Sequence, residues 1–360
     1  MDETVGLGMP NLHMYKHIYD IENLYKASHN ALKNKKSKHS PAKFWLGEDK
    51  ELFKMHEVLK ESQYIWGGYS SFILHDQGVE RRISVAPFRD RVLHHAIMQN
   101  IELLFEKSFI YDSYANRKGK GTLAALKRAK YYANKYKYVL QLDIKKFFPS
   151  IDHDILLKLL RKKIECVDTM SLLEQLIENS NKQDDAFFYF KHDTLFTPYE
   201  QRKGIPLGNL TSQFFGNLYL SPFDHFVKEQ LKIKGYIRYV DDSLYFSNSY
   251  KELESLVKKV ESYLQGYRLK IHPLKIKLLK TNYGFVFLGH KIFKTHFRLT
   301  SKAIRRGRKR LKKVRYAYAY GKINIAEAKN KIFGTVGFFK MGSNAKIVDE
   351  LLAQTVLKHE

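Results

Sequence analysis

The segment Tyr236–Phe246, YIRYVDDSLYF, sets two adjacent aspartates between two short apolar and aromatic runs. That pattern reads as a pair of strands joined by an acidic turn at Asp241 and Asp242. Such a hairpin must bury its apolar side chains against another element while its charged turn stays at the rim. Upstream, Tyr138–Ile144 (YVLQLDI) reads as a third strand. Tyr138, Leu140, Leu142 and Ile144 share one face, and Gln141 and Asp143 the other. It too carries an acid near its end. A hairpin packed beside this strand would bring Asp241 next to Asp143.

The rest of the chain alternates helical and strand patterns. Tyr69–Leu74 and Arg82–Val85 read as a hairpin turning at Gly78. Asp90–Phe105 has one apolar stripe through Val92, Ala96, Ile97 and Ile101. Gly119–Gly121 is a break, with Thr122 as the expected cap of a helix through Tyr132. Helices are expected from Asp152 or His153 to Leu160, over Met170–Glu178, over Leu210–Leu231 and over Tyr250–Leu264. Residues 181–203 read as polar and irregular. Leu279–Ile292 reads as a strand pair around Gly284. The last 60 residues read as helical and basic. This order predicts an α+β fold around an antiparallel sheet rather than alternating βα units.

Charge narrows the partners. Lys and Arg number 63 against 37 Asp and Glu, a net +26, which points to a polyanion. The basic residues concentrate in Leu32–Lys43, Arg117–Lys130 and Ser301–Arg315, and the last block reads as basic on nearly every face. Nucleic acid fits these blocks better than a membrane surface, because helix 301–315 offers little apolar area to insert. An apolar share of 44% excludes wholesale disorder. The lone cysteine, Cys166, excludes an internal disulfide and a Cys-based zinc site. The adjacent His94 and His95 lack the spacing of a zinc motif. No apolar run is long enough for a membrane span, and the first ten residues do not read as a signal peptide, so a cytoplasmic protein is expected.

A single aspartate at a strand end often just stabilises a turn. Two adjacent ones repel each other unless something positive sits beside them. Phosphoryl transfer supplies that reason: magnesium prefers oxygen ligands, and two ions about 3.5–4 Å apart stabilise the attacking and leaving oxygens together.

Several ordered motifs now carry a resemblance. Tyr239-Val240-Asp241-Asp242 resembles the Y-x-D-D turn of reverse transcriptases. Asp143-Ile144-Lys145-Lys146-Phe147-Phe148 resembles their first catalytic motif. RISVAPFRDR (82–91), SYANRKGKGT (113–122), GIPLGNLTSQ (204–213), Lys275 and Phe287-Leu288-Gly289 follow the family's remaining motifs in place. Most reverse transcriptases carry Gln-Gly at the pocket motif, followed by Ser-Pro. Here Leu207 precedes Gly208, and Gln213 stands at the proline position. This is similar to the reverse transcriptases of diversity-generating retroelements.

The resemblance implies a right-hand polymerase fold. Its expected parts are a basic leader at 1–45, fingers at 46–137, a palm at 138–292 with 160–205 contributing to the fingers, and a helical thumb at 293–360. It implies two Mg²⁺ ions, with Mn²⁺ able to substitute, held by Asp143, Asp241, Asp242 and the Ile144 carbonyl. Phe148 is the implied gate against a ribose 2′-OH. Arg82, Arg91, Leu207, Gly208, Gln213 and Lys275 are the implied nucleotide contacts, Lys275 as general acid to pyrophosphate. Arg117, Lys118, Lys120, Arg305, Arg306, Arg308, Lys309, Arg310, Lys312 and Lys313 are the expected nucleic-acid contacts. Phe287, Leu288 and Gly289 are the implied primer grip. The implied partners are a template-repeat RNA, the cDNA or primer, dNTPs and a small basic helical accessory protein, the accessory variability determinant, in a bacterial or phage-encoded system. The implied activity misincorporates opposite template adenines. Competing readings are another bacterial reverse transcriptase (retron, group II intron-like or phage-defence) and a catalytically silent RNA-binding scaffold on the same fold.

Overall fold

A computed structural model describes residues 13–76, 79–180, 186–353 and 355–357. The expected Gly78 turn and the first 12 residues of the leader lie outside the described residues. The chain forms two compact units, each assembled from three stretches. One comprises Met1–Tyr111, Ile144–Phe226 and Val260–Ile271; the other comprises Asp112–Asp143, Val227–Lys259 and His272–Glu360.

The first unit is mostly helical. Helices Met14–Tyr19, Ile21–Leu32, His39–Leu46 and Glu48–Lys60 precede the long helix Phe88–Glu106. Asp20 starts the second of these by accepting the N–H groups of Glu22 and Asn23. Asn23 in turn donates to the carbonyls of Ile18 and Ala96, tying the leader to the long helix. Within the basic block Leu32–Lys43, His39 begins a helix and Pro41 sits in its first turn, where a missing N–H costs nothing. Asp90 is 1% exposed and accepts from Tyr64 and Gly67, so it fastens the helix start to the preceding segment. Strands β1 (Ser70–Asp76) and β2 (Val79–Val85) form the expected hairpin.

Helix Leu210–His225 stops short of the expected Leu231 and passes into a wider π turn, Phe226–Gln230. Pro222 lies inside it and removes one N–H from the ladder, which loosens the last turns.

The second unit is built on a four-stranded antiparallel sheet. Its strands are β3 (Tyr138–Asp143), β4 (Gly235–Tyr239), β5 (Asp242–Ser247) and β6 (Lys277–Lys280), in the order β4-β5-β3-β6. Helix Thr122–Lys135 covers one face with Ala125, Leu126, Ala129 and Tyr132 against Val139, Ile237, Leu244 and Phe246. Gly121, at φ +95°, takes the cap position expected for Thr122. The Thr122 hydroxyl instead meets the Tyr239 hydroxyl at 3.0 Å.

Strands β7 (Phe285–Phe287), β8 (His290–Ile292) and β9 (Phe297–Leu299) form a second small sheet. The strand pair expected around Gly284 is therefore misplaced. The turn falls at Leu288–Gly289, while residues 277–280 pair with β3.

Helices Ser301–Ala319, Ile325–Phe339 and Ala345–Ala353 complete this unit. The first is not basic all round: Ala303, Gly307, Leu311 and Val314 make a buried stripe. A Cβ on Gly307 would lie 2.0 Å from the Phe339 ring, so only glycine lets the two helices approach. Among the described residues no helix is long and apolar enough to cross a membrane.

Candidate active site

The antiparallel register of β3 and β5 sets Asp143 directly opposite Asp242. Cross-strand partners project to the same face of a sheet, so the two carboxylates meet although 99 positions separate them. β4 and β5 then turn through Val240 and Asp241. Val240 sits at φ +58°, a left-handed conformation that a β-branched residue adopts only under constraint.

The constraint is Arg238, which is 1% exposed. Its guanidinium donates to the Val240 carbonyl at 3.1 Å and to Ser113 Oγ at 3.1 Å. Its own backbone bonds Asp112 and Tyr114, at 3.0 Å each. Asp112 is anchored in turn by Arg128 and Lys228, both at 2.8 Å. Burial pushes the Asp112 carboxyl up, but the hydrogen bonds from Arg128 and Lys228 outweigh it and hold it low. Neither Arg238 nor Asp112 belongs to the motifs singled out in the sequence. A lone arginine inside an apolar strand, three residues before the acidic pair, was the available signal.

Electrostatics mark this corner. Burial, then the negative charges of Asp241 and Asp143, push the half-buried Asp242 carboxyl up to about 7, and a hydrogen bond with Asp143 adds to the rise. Lys275 opposes it, with Nζ donating to Asp143 Oδ2 at 2.8 Å. The Asp143 carbonyl also accepts the His272 N–H, which fixes the end of β3. Among the described residues no group of three His, Cys, Asp or Glu side chains is gathered into a ready cage for a metal ion. What the second unit supplies is a facing carboxylate pair, a third carboxylate next in sequence and an excess of negative charge. Those all-oxygen donors fit a hard divalent cation, whose arrival would relieve the repulsion.

The first unit holds the other expected contacts. Phe148 lies in the short helix Phe147–Ser150, against Gly216, where a Cβ would come within 3.3 Å of its ring. Ile144 follows Asp143 and bridges Ile271. The Leu207 carbonyl accepts the Ser84 N–H at 3.2 Å. Gly208, at φ +108°, packs on Ile83, and Asn209 donates to the Ser84 carbonyl. The pocket motif is thus docked on β2, the strand that carries the exposed Arg82. Gln213 is exposed on helix Leu210–His225. Arg91 has other company: its guanidinium lies over the Phe88 ring at 5.2 Å and faces His95 and Lys35.

The expected nucleic-acid residues divide. Arg117 is turned back on the Ser113 carbonyl at 2.9 Å, and Lys120 lies over the Tyr114 ring, while Lys118 is exposed. Arg305, Arg306, Arg308, Lys309, Arg310, Lys312 and Lys313 are all exposed on helix Ser301–Ala319. Arg308 reaches Glu350 at 3.7 Å, and Lys312 lies over Tyr316. Phe287 is buried, and Leu288 and Gly289 form the tight turn at φ +46° and +79°.

Residues 73–292 match the family described as "Reverse transcriptase (RNA-dependent DNA polymerase)". Among curated proteins, "Protein YkfC" of Escherichia coli (strain K12) is 22% identical over 265 residues, covering 63% of this chain and 67% of that one. "Group II intron-encoded protein LtrA" of Lactococcus lactis subsp. cremoris is 26% identical over 190 residues, covering 53% of this chain but only 28% of that one. The solved structure of apo telomerase from Candida tropicalis shares the fold, with a TM-score of 0.50 at 11% identity over 81% of this chain and 59% of that one.

Proposed function

Because the chain belongs to the reverse transcriptase family, whose model matches residues 73–292, we propose that it extends a DNA 3′ end on an RNA template with Asp143, Asp241 and Asp242 as its catalytic carboxylates. The observation that carries this reading is the register pair Asp143–Asp242 beside the strained acidic turn. These three residues, with the Ile144 carbonyl, would hold two Mg²⁺ ions or Mn²⁺ in their place. When bound, such ions stabilise negative charge on the attacking and leaving oxygens.

The remaining roles belong to the chain itself. Lys275, already 2.8 Å from Asp143, holds the carboxylate pair in place and carries a proton suited to the leaving pyrophosphate. Phe148 is the proposed gate against a 2′-OH. Arg82 and Arg91 are the proposed triphosphate contacts; the exposure of Arg82 supports its role, while the half-buried setting of Arg91 lends less support. Gly208 lets backbone approach the nucleotide, with Leu207 and Gln213 beside it in sequence. The exposed basic face of helix Ser301–Ala319 would follow the phosphates of an A-like duplex, with Phe287, Leu288 and Gly289 at the primer end and Arg117, Lys118 and Lys120 as further phosphate contacts.

At finer grain we assign the chain to the diversity-generating type, acting on a template-repeat RNA with a small basic accessory protein. Leu207 supports this, since leucine selects by shape where a glutamine would add a hydrogen bond. A lost polar contact weakens discrimination by roughly 1–3 kcal/mol. The similarity to LtrA favours a second reading, a group II intron-like enzyme. Primer extension with dNTPs and Mg²⁺ on an RNA template tests the activity. Elongated cDNA is expected, and tight RNA binding without product would favour the silent scaffold. Errors concentrated at template adenines separate the two finer readings.

A further inference from the structure

Lys291 on β8 and Arg298 on β9 are register partners, so two cations stand side by side where like charges repel. Both lie near the ring of Phe293, at 5.2 and 5.4 Å. With Ser301, Ser343 and Lys346 they line a cavity of about 820 Å³. No Asp or Glu lines it, and none of the three cations has a carboxylate partner among the described residues. The hydroxyls of Ser301 and Ser343 likewise carry no hydrogen bond there.

The wall of this cavity is fixed in advance. Asn344 is 3% exposed; its Oδ1 accepts the Leu299 N–H at 2.9 Å and its Nδ2 donates to the Phe339 carbonyl at 3.1 Å. Ser343 donates its N–H to Phe297, and a Cβ on Gly342 would lie 2.7 Å from the same carbonyl. The segment Gly342–Asn344 is thus fastened to β9, beside Arg298. Lys291 is half-buried while Arg298 and Lys346 are exposed to incoming ligand; like charges on register partners repel, and a bound anion offsets that repulsion. A phosphate group suits the donor set: its oxygens can accept from an ammonium, a planar guanidinium and hydroxyls together. A carboxylate offers only two oxygens. The volume falls in the range that holds a nucleotide-sized ligand rather than an ion alone.

We propose that the cavity between β8, β9 and the start of helices Ser301–Ala319 and Ala345–Ala353 takes a phosphate group of a single-stranded nucleic acid, through Lys291, Arg298 and Lys346. This site is separate from the Asp143–Asp242 pair and does not depend on catalysis there.

The test is the salt dependence of binding to a fluorescein-labelled oligouridylate, measured by anisotropy on the full chain. Replacing Lys291, Arg298 and Lys346 together by Gln should lower the slope of log K against log salt by about 0.7, the value for one phosphate neutralised on a single strand. Arg298→Lys, which keeps the charge, should leave the slope near wild type, and the thermal melting of each variant reports folding. Asp143→Asn should abolish extension yet keep the slope, so failure of this site and failure of the catalytic reading are distinguishable. An unchanged slope in the folded triple variant overturns the proposal. So does a thermal shift with inorganic phosphate or pyrophosphate that the triple variant loses while its slope for the oligouridylate stays intact, because the site then serves a free anion.

Discussion

The Arg238 guanidinium reaches the Val240 carbonyl at 3.1 Å and so closes the turn that carries Asp241 and Asp242. A buried cation and a strained backbone position are thereby coupled, and the coupling can be measured. Arg238→Gln should destabilise the chain by about 2–4 kcal/mol, since it leaves the Val240 carbonyl and Ser113 Oγ short of partners. Val240→Gly should relieve left-handed strain and gain about 0.5–1 kcal/mol. In the glycine background the loss of Arg238 should cost less. Urea melts of the double-mutant cycle decide it, and strict additivity would uncouple the two residues.

Asp242 predicts a pH dependence in chelator-treated protein. Its folded pKa, about 7, lies above the ordinary carboxylate value of 3.8. Between those values the unfolded chain releases a proton that the folded chain keeps. This group's contribution is therefore fully present below about pH 4, falls as pH rises and is gone above about pH 7, a change of a few kcal/mol at most. Asp242→Asn should remove that decline. Thermal melts across pH 4 to 8 show it, and identical profiles for wild type and variant would contradict the repulsion described here.

Gly307→Ala offers a stability test in the opposite direction from helix propensity. On an exposed helix the change would gain about 1 kcal/mol. Here the added methyl meets the Phe339 ring at 2.0 Å, so a loss of about 1–3 kcal/mol is expected. Guanidinium melts measure the sign, and stabilisation would show that helices Ser301–Ala319 and Ile325–Phe339 do not approach as described.

Leu207→Gln addresses selectivity. If leucine at this position loosens the choice of nucleotide, the glutamine variant should lower the error rate at template adenines by about 5- to 150-fold, corresponding to roughly 1–3 kcal/mol. Sequencing of cDNA made by both proteins reads this directly. Equal adenine error rates would remove Leu207 from the explanation.

The acidic hairpin and β3 were legible because their signals are local: two-residue alternation and an acid at the strand end can be read from a short window. The partner of 277–280 was not, because it lies at 138–141, and no short window contains both strands. The buried stripe of helix Ser301–Ala319 was hidden for another reason. Ala303 and Gly307 are too small to stand out as apolar among nine cations, and their meaning is supplied by Phe339 from the next helix. Arg238 stands out as a lone cation in an apolar strand, but its task is not legible locally because its partners, Ser113 and Asp112, come from a segment more than 120 residues upstream. Thr122 is not the cap because the positive φ of Gly121 turns the chain one residue earlier, which makes Thr122 the first helical residue and leaves the entry without a side-chain cap.

Asp143, facing Asp242, is proposed to belong to the catalytic centre. Primer extension on an RNA template, with wild type and Asp143→Asn at matched RNA occupancy and saturating Mg²⁺, tests it most directly. A fall in rate of about 10³-fold or more with unchanged RNA affinity, in a variant that still melts cooperatively, is predicted, about 4 kcal/mol of transition-state stabilisation. Extension by the asparagine variant at the wild-type rate would contradict the account.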